Sequence, residues 1–178
     1  MKEYNKMVRD FADQKSEDLI PNSGIEHAEV LIKNLFSHAS NEVRILTGSL
    51  NARVYGTREV LASVDEFLHS GGNKKIKILL QDVDDNAYDY IKSHPLYLRC
   101  KELGESMCEI KFSKDNKDKL QSHFVVIDNN GYRIEPDKSE PIGIGCFNDE
   151  ETSKKLVDKF DYLFNKGALI TPETTQAI

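Results

Sequence analysis

The stretch Ser122-His123-Phe124-Val125-Val126-Ile127-Asp128-Asn129-Asn130-Gly131-Tyr132-Arg133-Ile134-Glu135 decides how the chain folds. Its first half is β-branched and aromatic, as strands are. Asn129-Asn130-Gly131 then offers a hairpin turn, because Asn and Gly tolerate the positive φ that such turns need. Residues 131–135 return as a second strand. A hairpin makes its two strands antiparallel, so the sheet that contains it cannot be wholly parallel.

Outward from the hairpin, residues 107–112 and 142–147 read as two more short strands. Upstream, Lys75-Ile76-Lys77-Ile78-Leu79-Leu80 alternates and then turns continuously apolar, as a strand buried in a sheet does. Val43-Arg44-Ile45-Leu46-Thr47 is another strand, closed by Gly48. Helical periodicity lies between them. Ile25, Ala28, Leu31, Ile32, Leu35 and Phe36 share one face of a helix that Ser23 caps and that ends near Ser40. Residues 57–69 form a helix, and residues 85–103 form one or two, interrupted at Pro95. The last helix begins near Asp149, carries Leu156, Val157, Phe160, Leu163 and Phe164, and stops at Gly167. At the other end Tyr4, Val8 and Phe11 place a helix over residues 3–19, broken by Pro21-Asn22-Ser23-Gly24.

Strands separated by helices imply parallel pairing with right-handed crossovers, and the hairpin adds antiparallel members. The expected fold is α/β: a mixed, mostly parallel sheet flanked by helices. Residues 1–22 form an N-terminal helical piece, 23–167 the α/β domain, and 168–178 a polar, mobile tail. There is no internal repeat.

The 178 residues fit one domain, with 39% apolar and 30% charged residues, a water-facing globular composition. The net charge of −6 argues against a protein that coats nucleic acid non-specifically, while leaving room for one local basic site. No apolar run follows the first residues, so a secretory leader is not expected. No stretch approaches the about 18 apolar residues of a membrane span. Cys100, Cys108 and Cys146 form no CxxC pair, which suits reduced thiols and a cytoplasmic location.

The element order, with Ser122-His123-Phe124-Val125-Val126-Ile127-Asp128 on a strand and Gly145-Cys146-Phe147-Asn148 before the last helix, resembles one half of a phospholipase D superfamily fold over about residues 25–166. The superfamily motif is His-x-Lys, four residues, Asp, then Gly-Ser-x-Asn. His123 stands in the place of the nucleophilic histidine and Asn148 in that of the Asn. Val125 replaces the Lys, Asn130 the Asp (with Asp128 two residues earlier), and Cys146 the Ser, so the signature is degenerate. The gap between the halves is longer than usual across residues 133–141.

In that superfamily one His attacks phosphorus, a second His protonates the leaving oxygen, the Lys neutralises phosphate charge, and Ser and Asn orient the oxygens. A chain with one motif needs a partner for the second His. The resemblance therefore implies a homodimer with His123 of each subunit at a two-fold interface. Lys111 or Arg133 can replace the missing cation in space. The plain alternative is that His123 is a buried strand histidine with a satisfied hydrogen bond.

Gly48-Ser49-Leu50-Asn51 is a literal Gly-Ser-x-Asn, out of order for the motif. Ser49 and Asn51 can reach the same site, since ligands gather at the carboxyl ends of strands. The plainer reading is ordinary turn chemistry, with Asn51 bonding backbone. Asp82, Asp84 and Asp85 can be read as a cation site or as an acidic helix start. The superfamily chemistry needs no metal, and neither metal nor cofactor is expected. The segment 111–119 is a mixed-charge run that can touch phosphate or stay solvated. His27, His38, His69 and His94 have no metal-ligand spacing.

Three functions are consistent with this. The first is a degenerate phospholipase D-like module that dimerises or binds a phosphate-containing ligand or a protein partner with little or no catalysis. The second is a metal-independent phosphodiesterase or nuclease acting through His123. The third is an unrelated α/β binding domain.

Overall fold

The computed structural model describes residues 1–83, 85–140 and 142–169. In chain order the elements are α1 (Lys2–Asp13), β1 (Ile20–Ser23), α2 (Ile25–His38), β2 (Glu42–Thr47), α3 (Ala52–Tyr55), α4 (Arg58–His69), β3 (Lys75–Leu80), α5 (Asp85–Ser93), α6 (Pro95–Leu103), β4 (Cys108–Phe112), β5 (His123–Ile127), β6 (Gly131–Glu135), β7 (Ile142–Cys146), α7 (Glu150–Lys166) and β8 (Ala168–Leu169). The strands form one sheet in the order β1-β7-β6-β5-β2-β3-β4-β8.

The mixed α/β sheet flanked by helices is as expected. Contrary to expectation, it is not mostly parallel: the parallel part is confined to β2, β3 and β4, the strands joined by helical crossovers. Every other neighbouring pair is antiparallel. Side chains alternate between two faces. On one face Val43, Ile45, Ile76, Ile78, Val125 and Ile127 pack with Leu31, Leu35 and Phe36 of α2 and Val64 and Phe67 of α4. On the other, Leu46, Leu79, Phe124 and Val126 meet Phe160, Leu163 and Phe164 of α7. No helix among the described residues is long and apolar enough to cross a membrane.

Several expectations need correction at the N-terminus. The helix expected over 3–19 ends at Asp13, and Pro21-Asn22-Ser23 is not a break but part of β1, paired with β7. Proline is tolerated there because β1 is an edge strand, where a missing N–H costs no ladder bond. Ser23 therefore ends a strand instead of capping α2; Gly24, at φ 108°, precedes the helix with no side-chain cap. The short α3, capped by Asn51, was not expected. Of the expected polar tail, Ala168–Leu169 pairs with β4 as β8, and residues 170–178 lie outside the described residues.

The β5–β6 hairpin turns one residue earlier than anticipated, at Asp128-Asn129-Asn130, because Gly131 already pairs with Ile127. Gly131 lacks a side chain where Ile127 packs: a Cβ there would lie 2.9 Å from the Ile127 side chain. Asp128 sits at φ 47°, a region that Asp and Asn tolerate better than other residues. Its carboxylate accepts the N–H groups of Ser40, Asn41 and Glu42 at 2.7, 2.8 and 3.0 Å, tying the hairpin to the start of β2. We expect Asp128→Ala to lower unfolding free energy by about 2–4 kcal/mol, since three charge-assisted bonds are lost at a strained φ. Asp128→Asn should cost less than half as much. A loss below about 1 kcal/mol for Asp128→Ala in urea melts would show that the backbone bonds are not the cause.

Candidate functional site

His123 opens β5, and β5 lies between β2 and β6. Across one gap it faces Glu135; across the other, the register that pairs Leu46 with Phe124 puts Thr47 beside it. Strand alternation puts the side chains of His123, Arg133 and Glu135 on the same face of the sheet, the one that α2 and α4 cover. Here β2 gives way to Gly48, and β3 to Gln81 and Asp82. The carbonyl of Gly48 accepts the N–H of both Gln81 and Asp82 at 3.1 Å. The result is a cleft of about 710 Å³ at the carboxyl ends of β2 and β3, whose lining includes Thr47, Ser49, Asn51, Asp82, His123 and Lys138.

A buried polar chain forms one wall. Arg133 is 2% exposed. Its Nε donates to Oδ1 of Asn22 at 2.6 Å, and a terminal nitrogen donates to Glu135 Oε1 at 2.5 Å. The other Glu135 oxygen lies 3.5 Å from His123 Nδ1. Burial alone would raise the Glu135 carboxyl. Hydrogen bonds from His123 and Arg133, with the Arg133 charge, instead carry it below the usual carboxylate range. The other imidazole nitrogen, Nε2, is shielded from solvent and has no hydrogen-bond partner among the described residues. It lies against Gly48, where a Cβ would come within 3.4 Å of it and within 2.8 Å of Asp82 Oδ2.

At the rim, Lys138 Nζ contacts both carboxylate oxygens of Asp82, at 3.1 and 3.0 Å, and Lys119 Nζ lies 3.7 Å away. The Lys138 N–H donates to the Gln121 carbonyl at 2.7 Å, which fixes the loop carrying it. Gln81, 1% exposed, binds the chain that leads into His123. Its Oε1 accepts the Leu120 N–H at 2.6 Å, and its Nε2 reaches the Leu120 and Ser122 carbonyls at 3.4 and 3.5 Å.

Of the residues expected at the site, His123, Arg133, Ser49 and Asn51 share this cleft. Asn51 also caps α3 by accepting the Arg53 N–H, the ordinary turn chemistry anticipated for it. The other three are elsewhere. Cys146 pairs with Tyr132 and so lies toward the hairpin end of β6, whereas His123 pairs with Glu135 at the opposite end. Asn148, two residues further on, lines a separate hollow with Glu17, Asp149 and Glu150. At about 3.4 Å per residue, the strand length keeps His123 and Asn148 apart. The Cys146 side chain is buried on the α7 face, with Sγ 3.7 Å from the Ser16 carbonyl. Lys111 is on that face too, its Nζ 4.4 Å over the Phe164 ring and 3.3 Å from Glu109. Neither reaches His123, because one step along a strand reverses the side chain.

Glu135, Asn22, Lys138 and Gln81 belong to the site without having been anticipated, and Asp82, read only as part of an acidic cluster, joins them. Glu135 was accessible from the hairpin register alone; the rest join the site only through tertiary packing. No group of three or more His, Cys, Asp or Glu is gathered as a metal site among the described residues. Of the acidic trio, Asp84 and the Asp85 side chain lie outside them.

A family model described as a domain of unknown function, DUF7931, matches residues 25–172. No curated protein matches the sequence. Among solved structures, TrmBL2, an archaeal chromatin protein, superposes with a TM-score of 0.60 at 16% identity over 95% of this chain. The chain spans only 60% of TrmBL2. The phospholipase D family member Nuc from Salmonella typhimurium gives 0.59 at 12% identity, over 86% of this chain and 97% of its own. NucT from Helicobacter pylori gives 0.54 at 11%, over 86% and 100%. At such identities the likeness is one of fold, and the fold is phospholipase D-like.

Proposed function

The chain belongs to the DUF7931 family, and from its cleft we propose a phospholipase D-like binding domain that holds a ligand with little or no phosphodiester hydrolysis. One observation carries this reading: among the described residues both Lys or Arg side chains lining the cleft are already paired, Arg133 with Glu135 and Lys138 with Asp82. Hydrolysis of a phosphodiester needs preorganised positive charge on the phosphoryl oxygens. Here that charge is neutralised from within. The shielding of His123 Nε2, the atom that would have to reach phosphorus, points the same way. The volume suits a small molecule or a short segment of a partner. The buried free thiols Cys100, Cys108 and Cys146 favour a reducing, cytoplasmic setting.

A second reading, a metal-independent phosphodiesterase or nuclease, draws on the contact between Glu135 and His123 Nδ1, since a carboxylate there orients an imidazole for nucleophilic or base work. The DNA binding of TrmBL2 is compatible with a nucleic-acid ligand. Incubation of the protein with DNA, RNA and bis-p-nitrophenyl phosphate in EDTA separates the two. We expect no turnover above buffer. Turnover abolished by His123→Ala would overturn the binding reading. A homodimer fits both readings, and in the hydrolytic one it also supplies the second imidazole; sedimentation equilibrium tests it.

A further inference from the structure

We propose that Asp82 is the specificity-determining residue of the cleft: its carboxylate fills, from within the chain, the seat beside Lys138, Lys119 and His123 that a phosphate group would otherwise take. The inference rests on the binding reading and adds which ligands the cleft refuses. Lys138 is directed at both Asp82 oxygens, and Lys119 approaches one of them. Two ammonium groups converging on one carboxylate is the pattern of an anion site with its anion in place. Gly48 makes room for it, because any side chain there would collide with Asp82 Oδ2. The same glycine borders His123 Nε2, so the carboxylate and the imidazole flank one patch of backbone.

The backbone on the Lys138 side of this seat is fixed, since the Lys138 N–H is bonded to the Gln121 carbonyl. The Asp82 backbone is fixed as well, through its N–H to Gly48. What can be removed without disturbing either is the carboxylate. Its side chain is 41% exposed, so the ion pair contributes little to stability and the variant should fold. The remaining rim carboxylates, Asp137 and Glu140, are solvent-exposed and screened. Arg133 is already neutralised by Glu135. With Asp82 in place, a phosphate entering the cleft meets a like charge; with Asp82 gone, it meets two lysines.

The test is titration with inorganic phosphate, followed by phosphorus NMR and calorimetry. Asp82→Asn should bind phosphate at least about tenfold more tightly than the wild type, because a like charge facing the anion is removed. Asp82→Asn combined with Lys138→Ala should lose that gain. Unchanged affinity in Asp82→Asn, or a gain that survives in the double variant, would overturn the proposal. Circular dichroism establishes that each variant is folded, and Asp82→Ser replaces Asp82→Asn if it is not. Inorganic phosphate has no phosphodiester bond, so this result is independent of any turnover of bis-p-nitrophenyl phosphate, which tests the binding reading alone.

Discussion

Arg133→Met should destabilise the protein by about 3–5 kcal/mol, the loss found when one partner of a buried ion pair is removed and the other left behind. The Arg133 side chain is 3% exposed and that of Glu135 16%, so water replaces the guanidinium at the carboxylate poorly. Asn22, 1% exposed, also loses the donor at its Oδ1. The carboxyl now held below the usual range should rise, because burial would act on it with less opposition. Arg133→Met combined with Glu135→Leu should recover most of the loss, since replacing a whole buried pair with apolar groups is often neutral. Denaturant unfolding of the four proteins of this cycle measures the coupling. A single-variant loss below about 1 kcal/mol would mean that the charge network does not hold β1, β6 and the cleft wall together.

The second large effect is on acid stability, and it comes from His94. This residue caps α6: its Nδ1 accepts the Leu96 N–H at 3.1 Å, and it is 1% exposed. An imidazole that accepts at Nδ1 carries its proton on Nε2, and that atom is buried without a partner among the described residues. Protonation would remove the cap and bury a charge. Burial accordingly lowers the pKa from 6.5 to about 4. The folded value lies below the unfolded one, so the associated stability is fully present above pH 6.5 and is lost as pH falls from there through about 4. The total is about 3 kcal/mol at 1.36 kcal/mol per pH unit. His94→Asn keeps a good capping side chain without a titrating group. Wild type and variant should diverge in unfolding free energy across this window, with the wild type falling more steeply. Parallel pH profiles would show that His94 carries none of the dependence.

Much of the architecture was legible because it is encoded locally. The strands at 75–80 and 131–135 match their observed bounds, and Gly167 stops α7 as anticipated. Period-two alternation and helical periodicity are properties of neighbouring residues, so they survive into the fold unchanged. The failures are equally physical. β1 looks like a loop, because Pro21, Asn22 and Ser23 are turn residues; it becomes a strand only where β7 offers an edge. α3 is a single turn, too short for a periodic signal. For the site, hairpin register alone brings Arg133 and Glu135 onto the face of His123, because both follow period two from a known turn. Asn148 was misplaced by following motif order, which says nothing about which end of an antiparallel strand a residue occupies.

By itself, then, the amino-acid sequence determined most of the elements and the hairpin, since these follow from interactions within about ten residues of chain, and their order implied a mixed sheet. It also placed the histidine at the lip of a strand. Only the tertiary structure decided what that histidine meets. Asn22, Gln81, Asp82 and Lys138 come from β1, the end of β3 and the loop after β6, and no local pattern marks them as partners. Charge neutralisation within a cleft is a property of distances between remote segments. That is why a chain whose motif suggests phosphate chemistry folds into a site whose cations are already occupied.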